Sequence, residues 1–199
     1  MNRVCTMMAL CVLLAGCAGH GRNAEVLATD NPMAGTYQVR ELIVLARNVK
    51  PENARYLESR LCDGLRGHVL SCDSGSTRYE EAAQAGLDSF MAALPDKADT
   101  TLLILQRTTD RSKAEYLGSV QWGEFGSSPS DPNVQNTPIE RKHRVAAGIA
   151  SLVDASNRGE IWSAHIHVEG YDEKSGDQFL MNAAADELVR KLLHSPHFH

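Results

Sequence analysis

The sequence predicts an α/β protein built on a mixed sheet. The order β-α-β-α-β is followed by an antiparallel hairpin and a C-terminal helix, with helices packed on the sheet. Three observations carry this. Residues 100–108 (TTLLILQRT) form a continuous apolar run, as a strand covered on both faces requires. Two stretches of helical period stand between that run and the strand patterns before it, and such alternation argues for parallel strands joined by right-handed crossovers. Residues 160–170 alternate apolar and polar, the pattern of a half-buried hairpin strand.

The first 16 residues stand apart from this pattern. Asn2 and Arg3 give a short positive start, and residues 4–15 form an apolar run of 12. That is shorter than the roughly 20 residues a helix needs to span a bilayer, and it fits a cleavable secretion signal. Its end, Leu14-Ala15-Gly16-Cys17, resembles a bacterial lipobox. The resemblance implies that Cys17 receives a diacylglyceryl thioether, that the signal is cut before it, and that the new amino terminus is acylated. This covalent lipid is the only cofactor expected. At about 0.8 kcal/mol per buried methylene, two or three acyl chains hold a protein on a membrane almost permanently. The membrane is thus one partner, reached through the anchor. Ala18 stands where an aspartate would favour the inner membrane, so the same resemblance implies the periplasmic face of the outer membrane.

Residues 17–33 are polar and rich in Gly, Ala and Asn, without an apolar period. They predict a flexible tether over 17–35, reaching at most roughly 60 Å. A single domain is expected over 36–194. Residues 37–46 (YQVRELIVLA) read as a buried strand. Pro51 opens a helix at its favoured first position, and Ala54, Leu57, Leu61 and Leu65 line one face. Gly64 and Gly67 are expected to stop it, with a short strand over 68–72. Residues 79–94 predict one helix burying Ala83, Leu87, Phe90 and Leu94.

After the central strand the pattern changes. Residues 110–142 are rich in Gly, Pro and Ser, predicting a mobile loop, within which 116–125 read as a short strand or flap and 127–138 as the loop proper; loops of that length are functional or disordered. Residues 144–154 and 160–170 form the hairpin around a turn at 155–159, with Trp162, Ala164, Ile166 and Val168 inward and His165, His167 and Glu169 outward. Residues 176–193 predict an amphipathic helix, and 195–199 a His-rich tail on a flexible end.

Removal of residues 1–16 takes away one of 20 Lys and Arg and no acid, leaving 19 against 25, a net charge of −6. Such a chain has no general attraction for nucleic acid. Cys5 and Cys11 leave with the signal and Cys17 is used by the anchor, so Cys62 and Cys72 remain in a compartment that permits disulfides. Two readings stand: a bridge between them, or two small buried thiols.

The element order, with Ala147-Gly148-Ile149-Ala150-Ser151-Leu152-Val153-Asp154, then Gly159-Glu160-Ile161-Trp162-Ser163-Ala164, resembles a group of small bacterial envelope lipoproteins. Their domain is similar to the amino-terminal domain of TolB and to the curli-secretion and penicillin-binding-protein-activator lipoproteins. The terminal helix, with Asn182-Ala183-Ala184-Ala185-Asp186-Glu187-Leu188, matches in place. The resemblance implies a protein that binds other envelope proteins and catalyses nothing.

The residues themselves offer few sites. No Gly-x-Ser-x-Gly elbow, phosphate loop or dinucleotide fingerprint follows a strand, so no enzyme is expected. Tyr116, Trp122 and Phe125 cluster in the 110–142 segment, where aromatics either anchor a protein partner or cover a sheet edge. His165 and His167, with Glu169 next in line, share one strand face and offer the alternative of a metal site; a water-facing strand that tolerates any polar residue explains them equally. The function expected is a lipid-anchored periplasmic protein that binds an envelope partner in assembly, transport or cell-wall maintenance.

Overall fold

In this computed structural model the described residues are 24–35, 37–94, 99–122 and 135–198. The signal segment, Cys17 and Phe125 lie outside them. The elements are β1 (Ala24–Asp30), β2 (Glu41–Arg47), α1 (Pro51–Leu65), β3 (Ser71–Ser74), α2 (Gly75–Arg78), α3 (Glu80–Ala85), α4 (Leu87–Ala93), β4 (Thr100–Trp122), β5 (Gln135–Asp154), β6 (Glu160–Tyr171) and α5 (Asp177–Leu193). Six strands make one mixed sheet in the order β1-β6-β5-β4-β2-β3. β2 runs parallel to both β3 and β4, while β4, β5, β6 and β1 pair antiparallel in turn. The α/β class and the mixed sheet with helices packed against it are as expected.

Alternation along each strand sorts side chains between two faces. The inner face carries Val26, Val44, Leu103, Leu105, Leu152, Trp162 and Ala164, packed with Leu61, Leu65, Leu188 and Leu192 of α1 and α5. On the outer face α4 covers the β2–β4 part, where Phe90, Met91 and Leu94 pack on Ile43, Leu45 and Leu102. β4 is therefore covered on both sides there, and Leu102 and Leu103 are fully buried.

Five expectations are corrected. The tether over 17–35 is not all tether, because 24–30 forms β1, paired with β6 from Ala24↔Val168 to Asp30↔Trp162. Only Ala24 and Val26 of this edge strand are buried, too few to show an apolar period. The loop over 110–142 is mostly strand: β4 and β5 pair out to Trp122↔Gln135, absorbing its irregular composition in shifts at Arg107/Thr109 and Tyr116/Gly118. Residues 123–134 lie outside the described residues. The helix over 79–94 is broken into α3 and α4, because Gly86 takes a φ of +120° that continues no helix.

The fourth correction concerns the tail. Val39 N–H donates to the His197 carbonyl at 3.0 Å, Gln38 Nε2 donates to the Pro196 carbonyl at 2.9 Å, and Phe198 enters the main core. The domain thus takes in residues before 36 and beyond 194. Gly64 also differs from expectation: it lies inside α1, where a Cβ would come 2.7 Å from Val189 Cγ2. Its lack of a side chain lets α1 and α5 approach closely; the helix ends after Leu65, and Gly67 turns away at φ +89°.

Candidate functional site

Cys62, on the last turn of α1, and Cys72, on β3, form a disulfide with 5.3 Å between their Cα atoms. Parallel pairing of β3 with β2 brings Cys72 beside Leu42 on the inner face, against α1. The bridge is thus the reading the structure takes.

One turn earlier in α1 sits a residue that sequence reasoning missed. Glu58 is fully buried. Its carboxylate accepts the Ala46 N–H at 2.7 Å, the Ser74 hydroxyl at 2.6 Å, the Ser76 N–H at 2.9 Å and the Ser76 hydroxyl at 2.7 Å. Four donors match the roughly four lone-pair sites of a carboxylate, which is how a buried charge is tolerated. The signal was there: Ala54, Glu58, Leu61 and Leu65 repeat at spacings of four, three and four.

Between the inner face, α1 and α5 lies an apolar cavity of about 110 Å³, lined by Leu57, Leu105, Ala146, Gly148, Ile166, Leu180 and Ala184 among others. Gly148 belongs there because a Cβ would meet the Gln106 carbonyl at 2.9 Å. Charged groups gather near its rim. Arg144 donates from Nε and Nη2 to the two oxygens of Asp110 at 2.8 and 2.7 Å, and Nη1 lies 2.5 Å from Asp177. Arg107 Nη1 adds a bond to Asp110 at 2.7 Å, and Asn53 Nδ2 one to Asp177 at 3.1 Å. The hydrogen bonds from Arg144 hold the Asp110 carboxyl below its usual range, against partial burial. Burial opposes ionisation of Asp177, but the bonds from Asn53 and Arg144 outweigh it and lower its pKa too. The same bonds raise Arg144. These charges satisfy one another, so the network ties β4, β5, α1 and α5 together and, among the described residues, presents no free acid or base to the cavity.

His165 and His167 are exposed on the outer face of β6, as their alternation predicts. Glu169, next in line, lies with Oε2 3.4 Å from His143 Nε2, and the His143 ring stacks on Tyr171 at 4.3 Å. Of the terminal histidines, His194 Nδ1 bonds the Arg190 carbonyl at 2.6 Å, and His197 is buried with Nδ1 2.9 Å from the Tyr37 carbonyl. Among the described residues no three His, Cys, Asp or Glu side chains converge as a metal site.

Two surfaces remain. Among the described residues no helix covers the outer face of β1, β6 and the adjoining half of β5. That bare half-face carries Leu27, 61% exposed, beside its register partner His165, and Ile149 on the other side of His165. Beyond the His143↔Tyr171 pair, β4 and β5 continue as a two-stranded arm. Tyr116 lies on it, 66% exposed, and Trp122 ends the described part of β4. The structure thus puts Tyr116 and Trp122 on one arm, not on a loop.

No protein-family model matches the chain, and no curated protein matches it. Among solved structures it is similar to a point variant of the PelC dodecamer from Paraburkholderia phytofirmans, at 18% identity over 88% of this chain and 98% of that one, with a TM-score of 0.49. The PelC dodecamer from the same organism in another crystal form matches at 18% identity over 88% of this chain and 98% of that one, with a TM-score of 0.44. The lipoprotein GNA1162 from Neisseria meningitidis matches at 14% identity over 78% of this chain and 99% of that one, with a TM-score of 0.41. The resemblance to the TolB-type group rests on the sequence pattern alone.

Proposed function

We propose that the chain is a lipid-anchored periplasmic protein, held through Cys17 on the inner face of the outer membrane. There it serves as a non-catalytic, partner-binding component of envelope assembly, transport or cell-wall maintenance. The lipobox-like end of the signal segment supports the anchor, and the Cys62–Cys72 bridge suits an oxidising compartment.

The observation that carries partner binding is the bare half-face. An antiparallel sheet facing water on one side reads as polar on that side; here Leu27 and Ile149 flank His165, with Ala147 and Val145 half-buried along the same face. Apolar side chains set among histidines and serines suit a protein interface, whose core is apolar and whose rim is polar. In-cell photo-crosslinking tests this. A crosslinker at position 27 or 149 is expected to capture a defined envelope protein, while one at Asp63, exposed on α1, captures none. Equal capture from all three positions, or none from any, would contradict the reading.

A further inference from the structure

The two edges of the sheet differ. β3 closes one with four residues, while β1 runs for seven along the other, without the proline, lysine or bulge that guards many open edges. The ladder fixes which backbone groups the β1 edge leaves unpaired. Asn31 N–H donates to the Ile161 carbonyl at 2.9 Å, in step with the Asp30↔Trp162 pair before it. Antiparallel pairs alternate between bonded and non-bonded, so Glu25, Leu27 and Thr29 turn their N–H and C=O groups to β6. Ala24, Val26, Ala28 and Asp30 turn theirs outward, where none has a hydrogen-bond partner among the described residues. Val26 is buried, and buried backbone groups without a partner are rare in folded proteins. The edge is incomplete at its centre.

The same strand is matched to itself. Leu27 stands at the midpoint of Ala24–Asp30. A second β1 laid antiparallel about that midpoint sets Leu27 against Leu27 of the second copy, Val26 against Ala28, Glu25 against Thr29 and Ala24 against Asp30. Every residue of the strand is then paired, and the outward groups form four bonded pairs, or about eight hydrogen bonds. Leu27, the exposed large apolar side chain of the strand, is covered by its own counterpart, and exposed Ala28 meets Val26. On the outer face the row Ile149, His165, Leu27 continues into the same row of the second copy, so the two bare half-faces join. On the α5 side a hollow of about 240 Å³ lies along Ala24, Val26 and Leu27, bounded by Glu187 and Lys191, so α5 leaves room beside the edge.

We propose that two copies of this chain pair through their β1 edges, antiparallel about Leu27, joining their six-stranded sheets into one. The contact is isologous, each copy giving the other the same seven residues. An unrelated extended segment can bond the same backbone, but the agreement of strand length, midpoint and exposed leucine belongs to β1 set against itself. The inference goes beyond partner binding by the half-face and does not depend on it: Ile149 and the rest of that surface stay open, doubled across the two-fold.

Single cysteines in the full chain, expressed in cells and run on non-reducing gels after mild oxidation, test the register. Leu27 meets its counterpart in a non-bonded pair, with about 4.5 Å between Cα atoms, within disulfide reach. Cys62 and Cys72 are bridged to each other, and the unsubstituted chain controls for Cys17. Leu27→Cys is expected to give a disulfide-linked dimer. Thr29→Cys is expected to give none, since its counterpart lies four residues along, roughly 14 Å away; co-expressed with Glu25→Cys it should crosslink. Ala28→Pro removes an outward N–H and no β1–β6 bond, a place where an edge strand tolerates proline. Added to Leu27→Cys, it should cut the crosslink at least about fivefold, one backbone hydrogen bond being lost per copy, while the circular-dichroism spectrum of the purified chain stays unchanged. No dimer from Leu27→Cys, equal dimer from Leu27→Cys and Thr29→Cys, or a crosslink that Ala28→Pro leaves intact overturns the proposal. Crosslinking of Leu27→Cys only to a different protein overturns it too, and gives the edge to a partner's strand. Capture of an envelope protein from position 149 is read separately, so either reading can fail without the other.

Discussion

Arg144 holds both carboxylate oxygens of Asp110, at 2.8 and 2.7 Å, inside the body of the sheet, just before β4 and β5 continue as the arm. The pair decides how the arm's root responds to acid. The folded pKa of Asp110 is lowered from 3.8. Its contribution is therefore complete above the unfolded value and is lost as the pH falls through the folded one. Asp110→Asn should lower stability at neutral pH by about 2 kcal/mol, and the loss should shrink below pH 3.8. Chemical denaturation of both proteins across that window checks it; a constant difference at all pH values would contradict it.

Glu58→Ala leaves four donors, one buried and three part-buried, without their acceptor and should cost at least about 3 kcal/mol. Glu58→Gln keeps the volume but sets an amide N–H₂ against donors, and should cost nearly as much. Urea unfolding measures both. A cost for Glu58→Gln under about 0.5 kcal/mol would mean that the four hydrogen bonds do not hold the carboxylate as described.

The Cys62–Cys72 bridge closes a loop of sequence separation 10. In the chain-entropy model that is worth about 2–3 kcal/mol. Reduction, or Cys62→Ala with Cys72→Ala, should lower Tm by several degrees. Thiol labelling before and after reductant checks the bond itself: reactive thiols in both samples would show that it does not form.

The outward histidines predict weak metal binding. Among the described residues His165 and His167 are two ligands without a third, since Glu169 lies against His143. Zinc titration of the domain lacking residues 194–199 should show no sub-micromolar site. A sub-micromolar site lost in His165→Ala would restore the metal reading.

Where burial is dense, the sequence was enough. The run through Leu102 and Leu103, the alternation from Trp162 to Val168, and the face of α5 each place several apolar side chains at one period. Val26 and Ala24 show the opposite case: an edge strand that buries two residues leaves no period to read. The arm was missed because exposed strands need no apolar alternation, and its Gly and Pro residues imitate loop composition. The outward direction of His165 and His167 was legible, since alternation alone fixes it. The engagement of Glu169 with His143 was not, because it joins neighbouring strands at a register only the sheet defines. Glu58 was passed over because a charged residue on an apolar face reads as solvated unless its four donors, from Ala46, Ser74 and Ser76, are known.

The central claim is tested most directly by metabolic labelling with palmitate, followed by mass spectrometry of the mature amino-terminal peptide. The predicted result is label on a chain that begins at Cys17, with three acyl groups, lost in Cys17→Ala. A chain that is cleaved normally and stays in membranes without any lipid on residue 17 would contradict it.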